Sequence, residues 1–501
     1  MTTTVVRQAM STIETIKAGG RQTRASLLPL TRRGAVTAAA LGANVVVGTA
    51  LAAGQTKLVI LIALAPLFVV VSALIVTRRD WIVLAALLLT MLGGRLTERL
   101  PGTGGTAIYP SDVFLALAIA GYAIERLTSP RALTRERRPA FILTWPLALF
   151  ALTLMIGVFR GHERYGTSYL SQPTRMFLDA AIIVAISSMK SPAAYRDVVR
   201  VFYAMTVVQA LIGAYHMAAG TSQTASSALS TGGTRALALT TAMFLAGALV
   251  LALLNLEIDP RGRRMVHFAI AGLAVFGIVI SLGRTTFAAV AVVVPVLLIG
   301  LRRLRRTMLA YAPLILVVLI AVVVVALQLV PSLGTTLGDR LTGHVTNDPS
   351  LVQRERKFKA TLQGFGAEPL LGLGFGRPVT FTAIDGTVVT FSGDPEDSYI
   401  YVLAGGGIFA LAALIVLILA FFGDAVYRLR HARGEDRALI VLSMSLVFIF
   451  LVNASTYPTL SDPNLMLVLW IAMLLPTVVH GERSMSRAGR PERRPPIAAV
   501  G

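Results

Sequence analysis

The 501 residues contain no cysteine. No disulfide can brace a loop, and thiol chemistry is excluded. Charge is also scarce, at 14% of residues. A soluble chain of this length needs far more to cover its surface. Acidic side chains are the scarcer sign, 25 against 46 basic, leaving a net charge of +21. Histidines number 6. They form no cluster with metal-ligand spacing, and no Ser-His-Asp arrangement can be drawn. The first ~33 residues lack an apolar core ahead of a small-residue cleavage site, so no cleavable signal peptide is expected.

Apolar residues are what the chain has in quantity: 55% of the total, with a mean hydropathy of +0.73. A helix of roughly 18 or more apolar residues crosses the hydrocarbon layer of a bilayer. Leu58 to Val76, Leu237 to Leu254, Met308 to Val330 and Ile400 to Phe422 qualify without one charged residue. The pattern predicts an all-α, polytopic integral membrane protein with about 14 (12–14) transmembrane helices. Expected limits are 34–54, 58–76, 81–94, 111–127, 141–158, 175–189, 197–219, 236–256, 265–283, 285–301, 308–330, 398–422, 438–456 and 464–480. Five regions follow: a basic tail over 1–33, a bundle over 34–330, one large polar loop over 331–397, a second bundle part over 398–480, and a disordered tail over 481–501.

Lys and Arg set the orientation. With the N-terminus in the cytoplasm, Arg78-Arg79, Arg135 to Arg138, Arg261 to Arg264, Arg302 to Arg306, Arg428 to Arg437 and Arg483 to Arg494 all fall inside. Both termini are then cytoplasmic, and the large loop is extracytoplasmic. The basic charge is scattered over many short loops. It matches anionic inner-leaflet lipid rather than a nucleic acid. Arg far exceeds Lys, and Ala, Val and Gly abound, which points to a GC-rich bacterial source.

A minority of basic residues lies outside against this trend: Arg160, Arg164, Arg175, Arg235, Arg284, Arg340, Arg354, Arg356 and Arg377. Each could snorkel to headgroups. As a set they are suited to an anionic ligand, because the planar guanidinium donates two parallel bonds to phosphate. Arg284 sits in SLGRTT between two apolar runs with almost no connector, either as an anchor or as a ligand group facing the bundle. Arg175 and Asp179 share a helix face and can neutralise each other. Leu351 to Phe365 reads as an amphipathic helix with Arg354 at the border of its apolar face and Arg356, Lys357 and Lys359 elsewhere. The glycines of GLGFG (372–376) are expected to make a tight turn rather than a phosphate cradle. Asp394, Glu396 and Asp397 stand at the mouth of the next span. They can cap it, or one can act as a base toward a hydroxyl. His344 is a further candidate base, although a lone loop histidine is usually solvated.

The order of these features resembles the O-antigen ligase and O-antigen polymerase superfamily of bacterial membrane glycosyltransferases. Three motifs between Leu237 and Leu419 carry the resemblance. They are SLGRTT with Arg284; Arg354 and Phe358 followed by EPLLGLGFG; and DSYIYVLAGGG from Asp397. The resemblance implies a polyprenyl-diphosphate-linked glycan donor, a glycan, lipid or protein acceptor, and transfer outside the cytoplasmic membrane without a metal or other cofactor. It implies that Arg284 and Arg354, with Arg175, Arg160 and Arg164, bind the donor diphosphate. The family's third motif commonly begins with His. Here Asp397-Ser398 stands in that place, so Asp397, His344 or Glu396 would be the base. A lipid-linked oligosaccharide flippase or polysaccharide exporter should show two related halves and no such loop. A type C glycosyltransferase using a polyprenyl-phosphate sugar should carry acidic residues in its first outward loops, where only Glu98 occurs.

Overall fold

The computed structural model describes residues 141–166, 194–219, 237–258, 263–313 and 349–479, less a few single residues within them, and isolated positions 317 and 324. All belong to one compact unit, Arg79–Gly501. Arg175, Asp179, Arg235, Arg340, His344 and Asp394 lie outside the described residues, as do both expected tails and the expected spans at 34–54, 58–76, 81–94, 111–127 and 175–189.

Ten helices are described: α1 (Phe141–Tyr165), α2 (Ala194–Ala218), α3 (Leu239–Ile258), α4 (Arg264–Ser281), α5 (Arg284–Gly300), α6 (Arg302–Ala310), α7 (Pro349–Leu362), α8 (Ser398–His431), α9 (Gly434–Ala454) and α10 (Pro463–Val479). Six of them (α1 to α4, α8 and α9) are long and apolar enough to cross a membrane. Helix α3 is the centre of the bundle: almost every residue from Leu237 to Leu256 is buried. It packs against α2, α4, α5, α6 and α9, while α1 packs along α8. An apolar helix that is buried all round needs no amphipathic stripe. Some of the polar groups that enter this core pair, as in the chain Asn255–Tyr203–His267, with bonds of 2.8 and 2.9 Å that tie α3, α2 and α4 together.

Several features depart from the sequence-based expectation. The protein is mostly helical but not all-α. Within the expected loop, β1 (Pro378–Thr382) and β2 (Val388–Ser392) pair antiparallel, with Val379 opposite Phe391 and Phe381 opposite Val389. The signal was present: apolar residues alternate on both sides of Asp385-Gly386, the turn chemistry of a hairpin. Arg302 to Arg306, expected as a plain loop, form α6, which bends 107° from α5.

Helix α8 extends beyond its expected end at 422 to His431 and is broken at Gly407, with φ 76° and ψ −174°. Only glycine occupies that region readily. The break frees backbone groups that hydrocarbon cannot satisfy, at a cost of several kcal/mol each. Residues 369–374 satisfy them. Leu373 N–H donates to Ala404 O at 2.7 Å and Gly374 N–H to Gly405 O at 3.1 Å. In the other direction Ile408 N–H reaches Pro369 O and Phe409 N–H reaches Leu370 O. The GLGFG turn is thus a patch on a broken helix, held further by Phe375 packed between α1 and α8.

Candidate functional site

The site is built at one end of the bundle, where α5, α8 and the 455–460 turn meet. Gly283 precedes α5, so Arg284 is its first residue, and it is exposed. The next two side chains fasten this tip. Thr285 Oγ1 and Thr286 Oγ1 both donate to Asn453 Oδ1, at 2.9 and 3.0 Å, near the end of α9. Thr456 Oγ1 donates to Thr285 Oγ1 at 3.1 Å. Asn453 is itself fully buried and turned by its own bond to Ile449 O. Sequence reading missed Asn453, since nothing local distinguishes an asparagine at a helix end as a partner for a hairpin more than 160 residues earlier.

The same turn holds the start of α8. Ser398 Oγ accepts from Leu460 N–H at 3.0 Å and donates to Tyr457 O, while Tyr399 Oη donates to Leu451 O. Arg284 and Asp397 therefore stand on neighbouring supports, although they are 113 positions apart in the chain. Asp397 caps α8: its Oδ1 accepts from Tyr399 N–H at 2.9 Å and Ile400 N–H at 3.0 Å. Its Oδ2 makes no hydrogen bond among the described residues. Burial pushes the Asp397 carboxyl above the usual aspartate value, and the two backbone donors and nearby Arg354 only partly offset this.

Helix α7 brings the cations. It forms close to where the sequence placed it, and Arg354 Nε donates to Glu396 Oε2 at 3.1 Å. One expectation about this helix is corrected. Lys357 does not lie away from Arg354. Three residues on, it shares the same face, and its Nζ donates to Glu396 Oε1 at 2.6 Å. It also lies about 6 Å over the Phe381 and Phe391 rings of the hairpin, at 6.0 and 5.8 Å. Burial opposes ionisation of Glu396, but Lys357 and then Arg354 outweigh it and hold this carboxyl below the usual glutamate value. Glu396 is held in the left-handed region at φ 72°, alone among non-glycine residues described. Such backbone strain persists where surrounding contacts over-determine it.

The other outward arginines are engaged by the loop itself. Arg160 and Arg164 of α1 both bind Glu368, the latter at 2.7 Å, with a longer Arg164 bond to Leu373 O. Arg356 binds Thr382 O and Ala383 O, and Arg377 binds Gln363 O. The Glu368 clamp fixes the loop on the bundle, and the Arg356 and Arg377 bonds brace the loop internally. Arg354 differs, because its Nη1 and Nη2 make no hydrogen bond among the described residues. Of the sequence-derived set, the structure brings together Arg354, Glu396, Asp397 and the support of Arg284. It places Arg160 and Arg164 on the Glu368 clamp at the α1 edge. Glu368 is the one acidic residue of EPLLGLGFG, and nothing local marks it as the partner of two arginines on α1.

Residues 268–415 match a family model described as O-antigen ligase. The match covers most of α4, all of α5 and α6, the described loop and the first half of α8. A comparison with curated proteins gives no match. Together with the apolar helices, the match supports an integral membrane protein with an O-antigen ligase or polymerase type of role in surface polysaccharide synthesis.

Proposed function

From a chain whose residues 268–415 match a family model described as O-antigen ligase, we propose that this end of the bundle transfers a glycan from a polyprenyl diphosphate to an acceptor hydroxyl at the outer face of the bacterial cytoplasmic membrane. The observation that carries the reading is the pairing of opposite chemistries. A carboxylate of raised pKa, Asp397, stands at the same helix mouth as a cationic pair, Arg354 and Lys357.

In the proposed step the acceptor oxygen attacks the anomeric carbon, and the bond from that carbon to the diphosphate oxygen breaks. The electron pair leaves with the diphosphate, and the acceptor proton passes to Asp397 Oδ2. A carboxylate with a raised pKa is a stronger base, and burial supplies that shift. The leaving diphosphate gains negative charge, and fixed guanidinium donors aimed at it stabilise that charge without reorganising. Arg284 and the terminal nitrogens of Arg354 are assigned this role, with Lys357 adding charge beside them. Arg160 and Arg164 act through Glu368, holding the loop. Glu396 orients Arg354 and Lys357. As the more acidic of the two neighbours, it is the poorer base. No resident metal is assigned, so EDTA is expected to leave transfer intact.

The test is substitution with output read on the cell surface. Arg284→Ala and Arg354→Ala should each abolish glycan extension or attachment while the protein remains inserted. Normal output from both variants overturns the reading. Ligase and polymerase separate in a deletion strain. Loss of long chains with single units retained marks a polymerase, and finished polymer accumulating on carrier lipid marks a ligase.

A further inference from the structure

At the opposite end of the bundle from the candidate site, α5 ends at Gly300 and the chain turns 107° into α6. The two helices pass for a membrane span only as a bent pair, and with α5 inserted in the bundle a helix turned 107° from it runs close to the membrane surface. Its two faces are sharply different. Leu304 and Thr307 are buried, with Leu304 at 0% exposure in the core cluster. Arg302, Arg303, Arg305 and Arg306 are all exposed on the other face. Among the described residues none of these four side chains makes a hydrogen bond or ion pair. The nearby acid, Glu257 of α3, is already committed to the backbone N–H of Leu304 in the first turn of α6. Arg263, also exposed, precedes α4, and the Phe268–Tyr311 ring contact at 5.0 Å brings the start of α4 to the far end of α6.

We propose that α6 is a docking surface for the anionic phospholipid headgroups of the leaflet opposite the candidate site. Charge complementarity selects an anion, and one further residue selects a bilayer over a soluble acidic partner. Leu309 lies in the middle of the arginine face and is 69% exposed. Helical spacing puts it between Arg302 and Arg305 on that face. A leucine flanked by snorkelling arginines gains by entering the acyl boundary, which is the arrangement of an interfacial helix. The helix would then fix the tilt of α5, and so the height of Arg284 at its other end. The inference uses only the membrane-embedded bundle and stands whether or not the glycan reading holds.

The experiment uses the full-length purified protein in nanodiscs of phosphatidylcholine or of phosphatidylcholine with phosphatidylglycerol. Binding of spin-labelled phosphatidylglycerol and thermal unfolding are both recorded. Wild type should prefer phosphatidylglycerol and unfold at a higher temperature in its presence, and 1 M NaCl should weaken both effects. The variant R302Q/R303Q/R305Q/R306Q should lose the preference by roughly fivefold per arginine while unfolding as wild type does in phosphatidylcholine. If that variant fails to fold, the milder R303Q/R306Q is judged by the same ratio of the two lipids. Equal behaviour in the two lipids overturns the proposal, as does a preference that survives the substitutions. Binding of polyglutamate without any phosphatidylglycerol preference also overturns it, since the partner would then be a protein.

Discussion

Two adjacent carboxylates, Glu396 and Asp397, have opposite surroundings and so divide the labour. Glu396 accepts from two cations and is pulled below the ordinary 4.5, whereas burial lifts Asp397 above the ordinary 3.8. Asp397→Asn should lower transfer by about 10²–10⁴-fold, the usual contribution of a general base. Glu396→Gln should lower it less, and should loosen the loop by roughly 1 kcal/mol once solvent screening is allowed for. Initial-rate measurements with a lipid-linked donor distinguish the two. A pH profile adds a sign. A base with a raised pKa loses its unprotonated form as pH falls through a value above 3.8, so the acid limb of activity lies there. The stability that Glu396 contributes is full above 4.5 and is lost only as pH falls through its lower folded value. Activity should therefore decline before the loop loosens, which proteolysis at each pH can follow.

Single elements in this protein are completed by segments far away in the chain. The break in α8 is tolerated because residues 369–374 bond both of its sides, and a Cβ at Gly407 would overlap the Leu370 carbonyl. Gly407→Ala should separate the GLGFG turn from α8 and destabilise the protein by at least about 1–3 kcal/mol, from the backbone strain alone. Thermal unfolding in detergent measures it. Asn453 does for α5 what the turn does for α8. Asn453→Ala leaves the buried hydroxyl of Thr286 and the part-buried one of Thr285 without their acceptor, at about 1–3 kcal/mol. Because Arg284 adjoins them, the variant should also raise the donor KM before it lowers protein yield. The glycines and the helix at Arg354 were legible as a turn and an amphipathic face. The hairpin is equally legible, in its Asp385-Gly386 turn and the alternating apolar residues on both sides of it. Apolar residues alone do not fix the face on which Lys357 lies. The acid that selects its face, Glu396, comes 39 positions later.

At the scale of the whole molecule, the expected topology makes a direct labelling prediction, and the absence of cysteine supplies the background for it. Lys359 on α7 and Arg303 on α6 are both exposed, at opposite ends of the bundle. In intact cells a membrane-impermeant maleimide should label Lys359→Cys fully. Arg303→Cys should react only after the membrane is opened. The reverse pattern would put the large loop in the cytoplasm and remove the extracytoplasmic reading.

Apolar run length and the distribution of arginine along the chain determine that this protein is a helical bundle in a membrane, with one late polar loop. These are local properties, since a helix needs only its own residues to be long and apolar enough. Only the tertiary structure decided which charges are available and which are consumed. Arg160, Arg164, Arg356 and Arg377 look in sequence like Arg354, yet they close onto Glu368 or onto loop carbonyls. Likewise only the fold set Arg284 and Asp397 on one turn through Asn453, Thr456 and Ser398. Such pairings depend on contacts between distant segments, which composition and periodicity do not encode.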